Sequence, residues 1–338
     1  MDKLYLLTPK ERFPYFEKAA AQMGVSVPMI EKDYWVVWVL GRLFSIVEIK
    51  DHLTFKGGTS LSKVYGLIRR FSEDVDLSIE KSFFGFSEDK SPDQDASRKQ
   101  RSAFVERLSQ ECGEYVQHTL LKALSEDFSK ELNSPDGWNL RIDDTDPTNQ
   151  TLLFDYPAVT TARTGYIQPS VKIEMGARAE NWPVSHHTIQ SYAKELMNEQ
   201  VDEPGVTVKV LNVERTFWEK ATILHQFANI PTDKKLPTRL SRHYYDFYCL
   251  LNSSAKSVAL ANQDLLEKVA KHKEVYFPVT WAKYSFAKKG SLKLIPPSRI
   301  FDELGRDYQA MQEMFFEDPA SWGEVMEGVK LFEMEFNS

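Results

Sequence analysis

Two glycines, Gly57 and Gly58, stand between a short apolar run at His52 to Lys56 and a stretch that sets Leu61, Val64, Tyr65 and Ile68 at helical spacing. That order predicts a strand over 52–56, a glycine turn, and a helix over 60–70. Asp74 to Ile79 then alternates polar residues with Val75, Leu77 and Ile79, the pattern of a half-buried strand. Side chains two apart on a strand share a face, so Asp74 and Asp76 are expected side by side. Such a chain has to build a sheet with a helix packed on it.

The chemistry of these positions is that of a phosphate and a cation. Gly57 and Gly58 let backbone amides come close to a triphosphate at a helix start, and the hydroxyls of Thr59 and Ser60 are further donors. Asp74 and Asp76 are hard oxygen ligands of the kind Mg²⁺ takes. Each feature has a plainer reading: a Gly-Gly turn is usually only a turn, and an isolated Asp-x-Asp is usually a solvated strand edge. The two together, on adjoining elements, point to nucleotide and metal. Like charges on one strand face repel, and a cation between them relieves the repulsion. Glu174, in the run Lys172-Ile173-Glu174, offers a third acid for the metal, although its spacing suits an ion pair with Lys172 equally well.

Elsewhere the pattern gives a helix over 26–44, a polar loop over 85–98 and a long amphipathic helix over 103–132. Strands are expected at Thr151 to Tyr156, Ser170 to Met175 and Gly205 to Val210, which implies a mixed sheet. From Val213 onward the pattern is largely helical. The expected organisation is therefore a domain over 1–212, interrupted by a helical insertion at about 85–150, and a helical domain over 213–338. With 338 residues, 42% apolar and 27% charged, the chain is an ordinary globular protein. Its net charge of −7 argues against wholesale wrapping of nucleic acid, while leaving room for a local basic groove. Cys112 and Cys249 are too few for a disulfide framework, and His186, His187, His225, His243 and His272 lack a zinc-binding spacing. No signal-peptide core and no 18-residue apolar run occurs, so a cytoplasmic protein with no membrane partner is expected.

Several separated motifs resemble one family. They are Glu31-Lys32-Asp33-Tyr34-Trp35, Phe55-Lys56-Gly57-Gly58-Thr59-Ser60-Leu61, and Arg70-Phe71-Ser72-Glu73-Asp74-Val75-Asp76-Leu77. Glu214-Arg215-Thr216-Phe217-Trp218-Glu219-Lys220 and Arg242-His243-Tyr244-Tyr245-Asp246-Phe247-Tyr248 complete the set. Together they resemble the AbiEii toxin-like nucleotidyltransferases, toxin halves of bacterial toxin–antitoxin and abortive-infection systems directed at phage. The resemblance implies an α+β fold with a polymerase-beta-like nucleotidyltransferase core and a helical C-terminal domain that contributes to the active site. It implies transfer of a nucleotide from a nucleoside triphosphate with Mg²⁺ or Mn²⁺. It further implies Asp74 and Asp76 as metal ligands, Lys220 on phosphate and Asp246 assisting catalysis. Lys56, Gly57, Gly58, Thr59, Ser60, Ser72 and Arg242 would bind the nucleotide. His243 departs from the family pattern, which often has an acid there, and residues 85–150 have no counterpart.

Plainer readings accompany the later motifs. Lys220 suits a surface pair with an acid one turn away, and Asp246 suits a four-residue pair with Arg242. The aromatics around Asp246 are mostly core by spacing, with one face available to stack a base. The expected function is a toxin that transfers a nucleotide to a tRNA 3′ end or a protein side chain, countered by a cognate antitoxin. The alternatives are a nucleotide-binding regulator without turnover and a small-molecule nucleotidyltransferase of the antibiotic-modifying type.

Overall fold

Residues 3–86, 91–92, 96–133, 137–160 and 167–338 are described by the structure, a computed structural model. The loop expected over 85–98 lies partly outside them. The chain divides into two units. Unit 1 comprises Met1–Val64, Phe71–Ser91 and Ala103–Val210, and unit 2 comprises Tyr65–Arg70, Pro92–Ser102 and Leu211–Ser338.

Unit 1 is built on a mixed seven-stranded sheet. Its strands are β1 (Leu53–Lys56), β2 (Asp74–Ile79), β3 (Asn139–Ile142), β4 (Thr151–Asp155), β5 (Ser170–Gly176), β6 (Val184–Ile189) and β7 (Val206–Leu211), in the order β3-β4-β5-β2-β1-β7-β6. Central β2 runs antiparallel to β1 and parallel to β5. Helices α1 (Pro9–Met23) and α2 (Val27–Leu43) precede the sheet, and α3 (Gly57–Lys63) follows β1 directly. Thr8 and Glu11 form a capping box at the start of α1, which supplies two of the orphan amides of its first turn with acceptors.

The expected α+β architecture is the one found. Two strands escaped the sequence pattern: β3 spans only four residues, and β6 carries Ser185, His186, His187 and Thr188 between its apolar ends. The helix expected to run to Arg70 stops at Lys63, and Gly66 just beyond it has φ +61°, a left-handed conformation that ends helical progress. The helix expected over 103–132 is longer, running as α4 (Arg98–Tyr115), one π-helical turn (Val116–Leu120) and α5 (Leu121–Leu132). Arg42 on α2 clamps α5 through a bidentate pair with Asp127, at 2.6 and 2.5 Å.

The core of unit 1 gathers aromatic side chains of α2 against the sheet. Trp35 stacks on Tyr156 at 5.6 Å, and Trp38 meets Phe128 at 4.7 Å and Phe154 at 5.6 Å. In the same helix Glu31, Lys32 and Asp33 are all buried, which is tolerable only with partners. Glu31 accepts from the Val159 amide at 2.8 Å, and Lys32 pairs with Glu73 at 2.6 Å. Asp33 pairs with Lys63 at 2.9 Å and accepts from the Tyr192 amide at 2.7 Å. The first motif is thus a staple: one helical turn fastens the chain after β4, the approach to β2, the end of α3 and the start of α6 (Tyr192–Leu196).

A neighbouring carboxyl gives unit 1 a pH response. Glu203 accepts from Tyr34 Oη at 2.5 Å and from the Leu4 amide at 3.3 Å, and burial raises it to about 7. The folded value lies above the unfolded one, so the native state binds more protons between about pH 4.5 and 7, and this carboxyl subtracts stability as pH rises through that window. Glu203→Gln keeps an acceptor for both donors and removes the titration. Urea midpoints at about pH 5 and about pH 7.5 should therefore lie closer together in the variant than in the parent; equal spacing in the two would sink this reading.

Unit 2 holds helices α7 (Val213–Ala228), α8 (Ser241–Leu251), α9 (Ser254–Ala261), α10 (Asp264–Tyr276), α11 (Phe301–Ala310) and α12 (Trp322–Asn337). Phe217 of α7 packs on Phe247 at 4.8 Å and on Phe332 at 5.6 Å. Among the described residues no helix is long and apolar enough to cross a membrane.

Candidate functional site

In unit 1 the residues singled out by sequence meet at the C-terminal end of β1. Lys56 is the partner of Asp76 across the antiparallel ladder, and on the other side Asp76 faces Glu174 and Asp74 faces Lys172. Asp74 and Asp76 are half-buried on one face of β2, while Val75 and Leu77 enter the core, as the alternation predicts. Gly57 follows with φ +82°, and a Cβ there would collide with the Asp76 carboxylate. Glycine is required twice over at this position, by backbone conformation and by the carboxylate beside it.

Asp76 is pushed up to about 7, first by burial and then by Glu174 and Asp74, with Lys56 opposing. Such a carboxyl holds its proton near neutrality unless a cation takes the proton's place. Glu174 is moved the other way: burial raises it, but Lys172 at 2.5 Å and the hydrogen bond with Asp76 prevail and lower it. The ion pair weighed for Lys172 and Glu174 is therefore present, and Glu174 also faces Asp76. Among the described residues no group of three or more His, Cys, Asp or Glu side chains is arranged to hold a metal ion. The pair Asp74 and Asp76 nevertheless fits a divalent cation that takes its remaining ligands from phosphate and water, which is how Mg²⁺ is usually held.

The hydroxyls of the loop are otherwise engaged. Thr59 Oγ1 donates to the Asp74 carbonyl at 2.6 Å and lies 3.0 Å from Ser72 Oγ, and Ser60 Oγ donates to the Gly57 carbonyl at 2.9 Å. Both Thr59 and Ser60 are buried. Thr59 thereby fastens the first turn of α3 to the start of β2, while Ser60 bonds back within that turn.

Unit 2 brings together Lys220 from α7, Arg242, His243 and Asp246 from α8, and Arg70, which the sequence reading did not select. Asp246 is fully buried; it accepts from Arg70 Nε at 2.7 Å, from Arg70 Nη2 at 2.9 Å and from Lys220 Nζ at 2.6 Å. Burial works against its ionisation, yet the guanidinium and the ammonium hold its carboxyl well below the usual carboxylate range. Lys220 Nζ also lies 3.1 Å from His243 Nδ1. Burial, with Lys220 and Arg242 adding to it, holds the imidazole far below its ordinary value, so His243 is neutral and its Nδ1 accepts from the ammonium. Behind Lys220, Lys273 donates to the Glu219 carbonyl at 3.1 Å and is lowered to about 8, first by burial, with Lys220 and Arg215 contributing.

The observed partners of Asp246 are Arg70 and Lys220, not the Arg242 four residues earlier. Lys220 is buried rather than on the surface. Tyr244, Tyr245 and Phe247 are buried in the core of unit 2, against Trp322, Phe315 and Phe217, and offer no ring to a base. Arg70 opens one of the recognised motifs, but its partner lies 176 positions away, and no local pattern reveals that. A carboxylate so tightly paired is a poor proton acceptor; what it does is aim Lys220 and balance the charge around it.

A sequence model of the family described as "Nucleotidyl transferase AbiEii toxin, Type IV TA system" matches residues 38–328. A comparison with curated proteins finds no match. Among solved structures, the chain is similar to MenT4, a nucleotidyltransferase toxin from Mycobacterium tuberculosis H37Rv, with 13% identity and a TM-score of 0.44 over 96% of this chain and 99% of that one.

Proposed function

This chain belongs to the AbiEii family of type IV nucleotidyl transferase toxins, and from that premise we propose that it transfers a nucleoside monophosphate from a magnesium-bound triphosphate to an acceptor hydroxyl. In unit 1, Asp74 and Asp76 would hold the ion, which when bound supplies neutralising charge to the phosphates. Gly57 and Gly58 let the backbone approach the triphosphate, and Lys56 adds a charge at the end of β1. In unit 2, Lys220, whose ammonium Asp246 keeps in place, is the group suited to a phosphate oxygen. The acceptor oxygen bonds to the α-phosphorus as the bond to the β-phosphate oxygen breaks; pyrophosphate leaves and the hydroxyl proton passes to solvent.

The observation that carries this reading is Asp76 itself: a carboxyl raised to about 7 beside Asp74 and Glu174, with a glycine where any side chain would displace it. Family membership brings a triphosphate substrate and an antitoxin. The acceptor is an RNA 3′ end or a protein hydroxyl. Incubating the intact protein with each of the four labelled ribonucleoside triphosphates, with total tRNA or alone, should give label on one acceptor and none with EDTA. Tight triphosphate binding without any labelled product would replace this reading with that of a regulator.

A further inference from the structure

The acidic balance of the whole chain conceals one strongly basic segment. Residues 281–300 of unit 2 contain Lys283, Lys288, Lys289, Lys293 and Arg299 and no acid, in a chain of net charge −7. Between α10 and α11 this segment forms a strap without α-helix or strand. All five cations are exposed, whereas Ala282, Tyr284, Ala287, Leu292, Leu294, Pro296 and Ile300 are buried. Phe286 stands among the cations, 56% exposed.

The strap is pinned to its unit at both ends. His225 Nε2 lies 3.1 Å from the Lys283 carbonyl, and its Nδ1 accepts from the Lys293 amide at 3.0 Å. Tyr284 Oη donates to Gln226 at 2.7 Å. Asn337 exchanges two hydrogen bonds with Leu292, and Glu333 accepts from the Leu294 and Ile295 amides. Glu333 keeps its charge while it accepts from these amides, and the first acids after the strap in sequence are Asp302 and Glu303, which occupy the first turn of α11. At its far end Arg299 donates to the carbonyls of Ile230 and Pro231, which brings the exposed Lys234 and Lys235 loop, with Asp233, to the same end. His225 follows Lys220 by five residues on α7, roughly 7.5 Å along the helix axis.

Fixed cations around an exposed aromatic ring form a surface for a polyanion with unpaired bases. The lysines meet phosphates, and the ring takes the face of a base that a duplex would keep stacked. An acidic polypeptide would use the charges but leave the ring without a partner. We propose that the strap Lys283–Arg299 binds single-stranded RNA and holds the acceptor for transfer. This rests on the transferase reading and goes on to name the acceptor class.

The test uses the full chain without triphosphate, so that binding is read apart from transfer. Fluorescence anisotropy with a labelled single-stranded RNA of about 15 nucleotides is measured across a salt series. Replacing Lys283, Lys288 and Lys289 with glutamine should weaken binding at least about tenfold and flatten the slope of log K against log salt by about 2. Phe286→Ala should weaken single-stranded RNA about tenfold, leave the salt slope unchanged and leave binding of duplex RNA unaltered. Melting temperatures should match the parent, since every altered side chain is exposed. Parent-like RNA binding by both variants overturns the proposal, as does equal loss with polyglutamate in place of RNA, which would assign the strap to an acidic protein. Intact binding with no transfer would overturn the transferase reading and leave the strap standing.

Discussion

Replacing Asp76 with asparagine is expected to abolish nucleotide transfer while leaving the metal-free protein at least as stable as before. Loss of a ligand that keeps a cation on the phosphates removes several kcal/mol of transition-state stabilisation, and about 4 kcal/mol corresponds to a thousandfold in rate. The opposite effect on stability follows from the surroundings of this carboxyl. Asp76 sits beside Asp74 and across from Glu174, and its raised value shows that the folded protein disfavours its charge near neutrality. Asparagine keeps the size and removes the charge, so the repulsion on that strand face falls. Mg²⁺ should raise the melting temperature of the parent by binding the native state alone, and should do little for the variant. Single-turnover transfer and melting curves with and without Mg²⁺ would check this. Retained transfer, or a variant that melts many degrees below the parent, would remove Asp76 from the metal site.

A second substitution should act mainly on the fold. Asp246→Ala strips from Arg70 and Lys220 the fully buried carboxylate that both cations contact. Breaking a buried ion pair from one side costs about 3–5 kcal/mol, so the variant should lose a large part of the stability of unit 2. Lys220→Met, which leaves the Arg70–Asp246 pair in place, should cost far less stability and still lose transfer. The triple variant Arg70→Met, Lys220→Met and Asp246→Leu should recover much of the stability without recovering activity, because a well-packed apolar cluster can replace a buried ionic one. Urea unfolding alongside the transfer assay separates these cases. Were Asp246→Ala to cost no more than Lys220→Met, the carboxylate could not be the centre of this cluster. The same pairing predicts that Asp246 leaves no titration in the pH profile of transfer across the neutral range, its carboxyl being held well below the ordinary range.

The acidic half of the candidate site was legible because it is local. Asp74 and Asp76 are two apart on one strand and Gly57 begins the adjoining helix, so alternation and turn chemistry alone brought them near each other. What stayed hidden was non-local or already spent. Nothing in sequence says that Thr59 turns its hydroxyl to the Asp74 carbonyl, because that depends on where β2 lies. The partner of Asp246 was misread for a related reason: four-residue spacing on α8 offers Arg242, whereas the fold brings Arg70 from far earlier in the chain. The short polar strands β3 and β6 give too few residues for alternation to stand out, while the amphipathic run 103–132 was long enough to be unmistakable. The buried charges of Glu31, Lys32 and Asp33 could be seen only as a motif, since three successive ionised residues read as surface until their partners are known.

Arg70 reaches Asp246 from a stretch, Tyr65–Arg70, whose chain neighbours on either side belong to unit 1. No single cut therefore divides this polypeptide into two self-sufficient pieces. A fragment starting near residue 211 would carry the Asp246 carboxylate without the guanidinium that pairs with it.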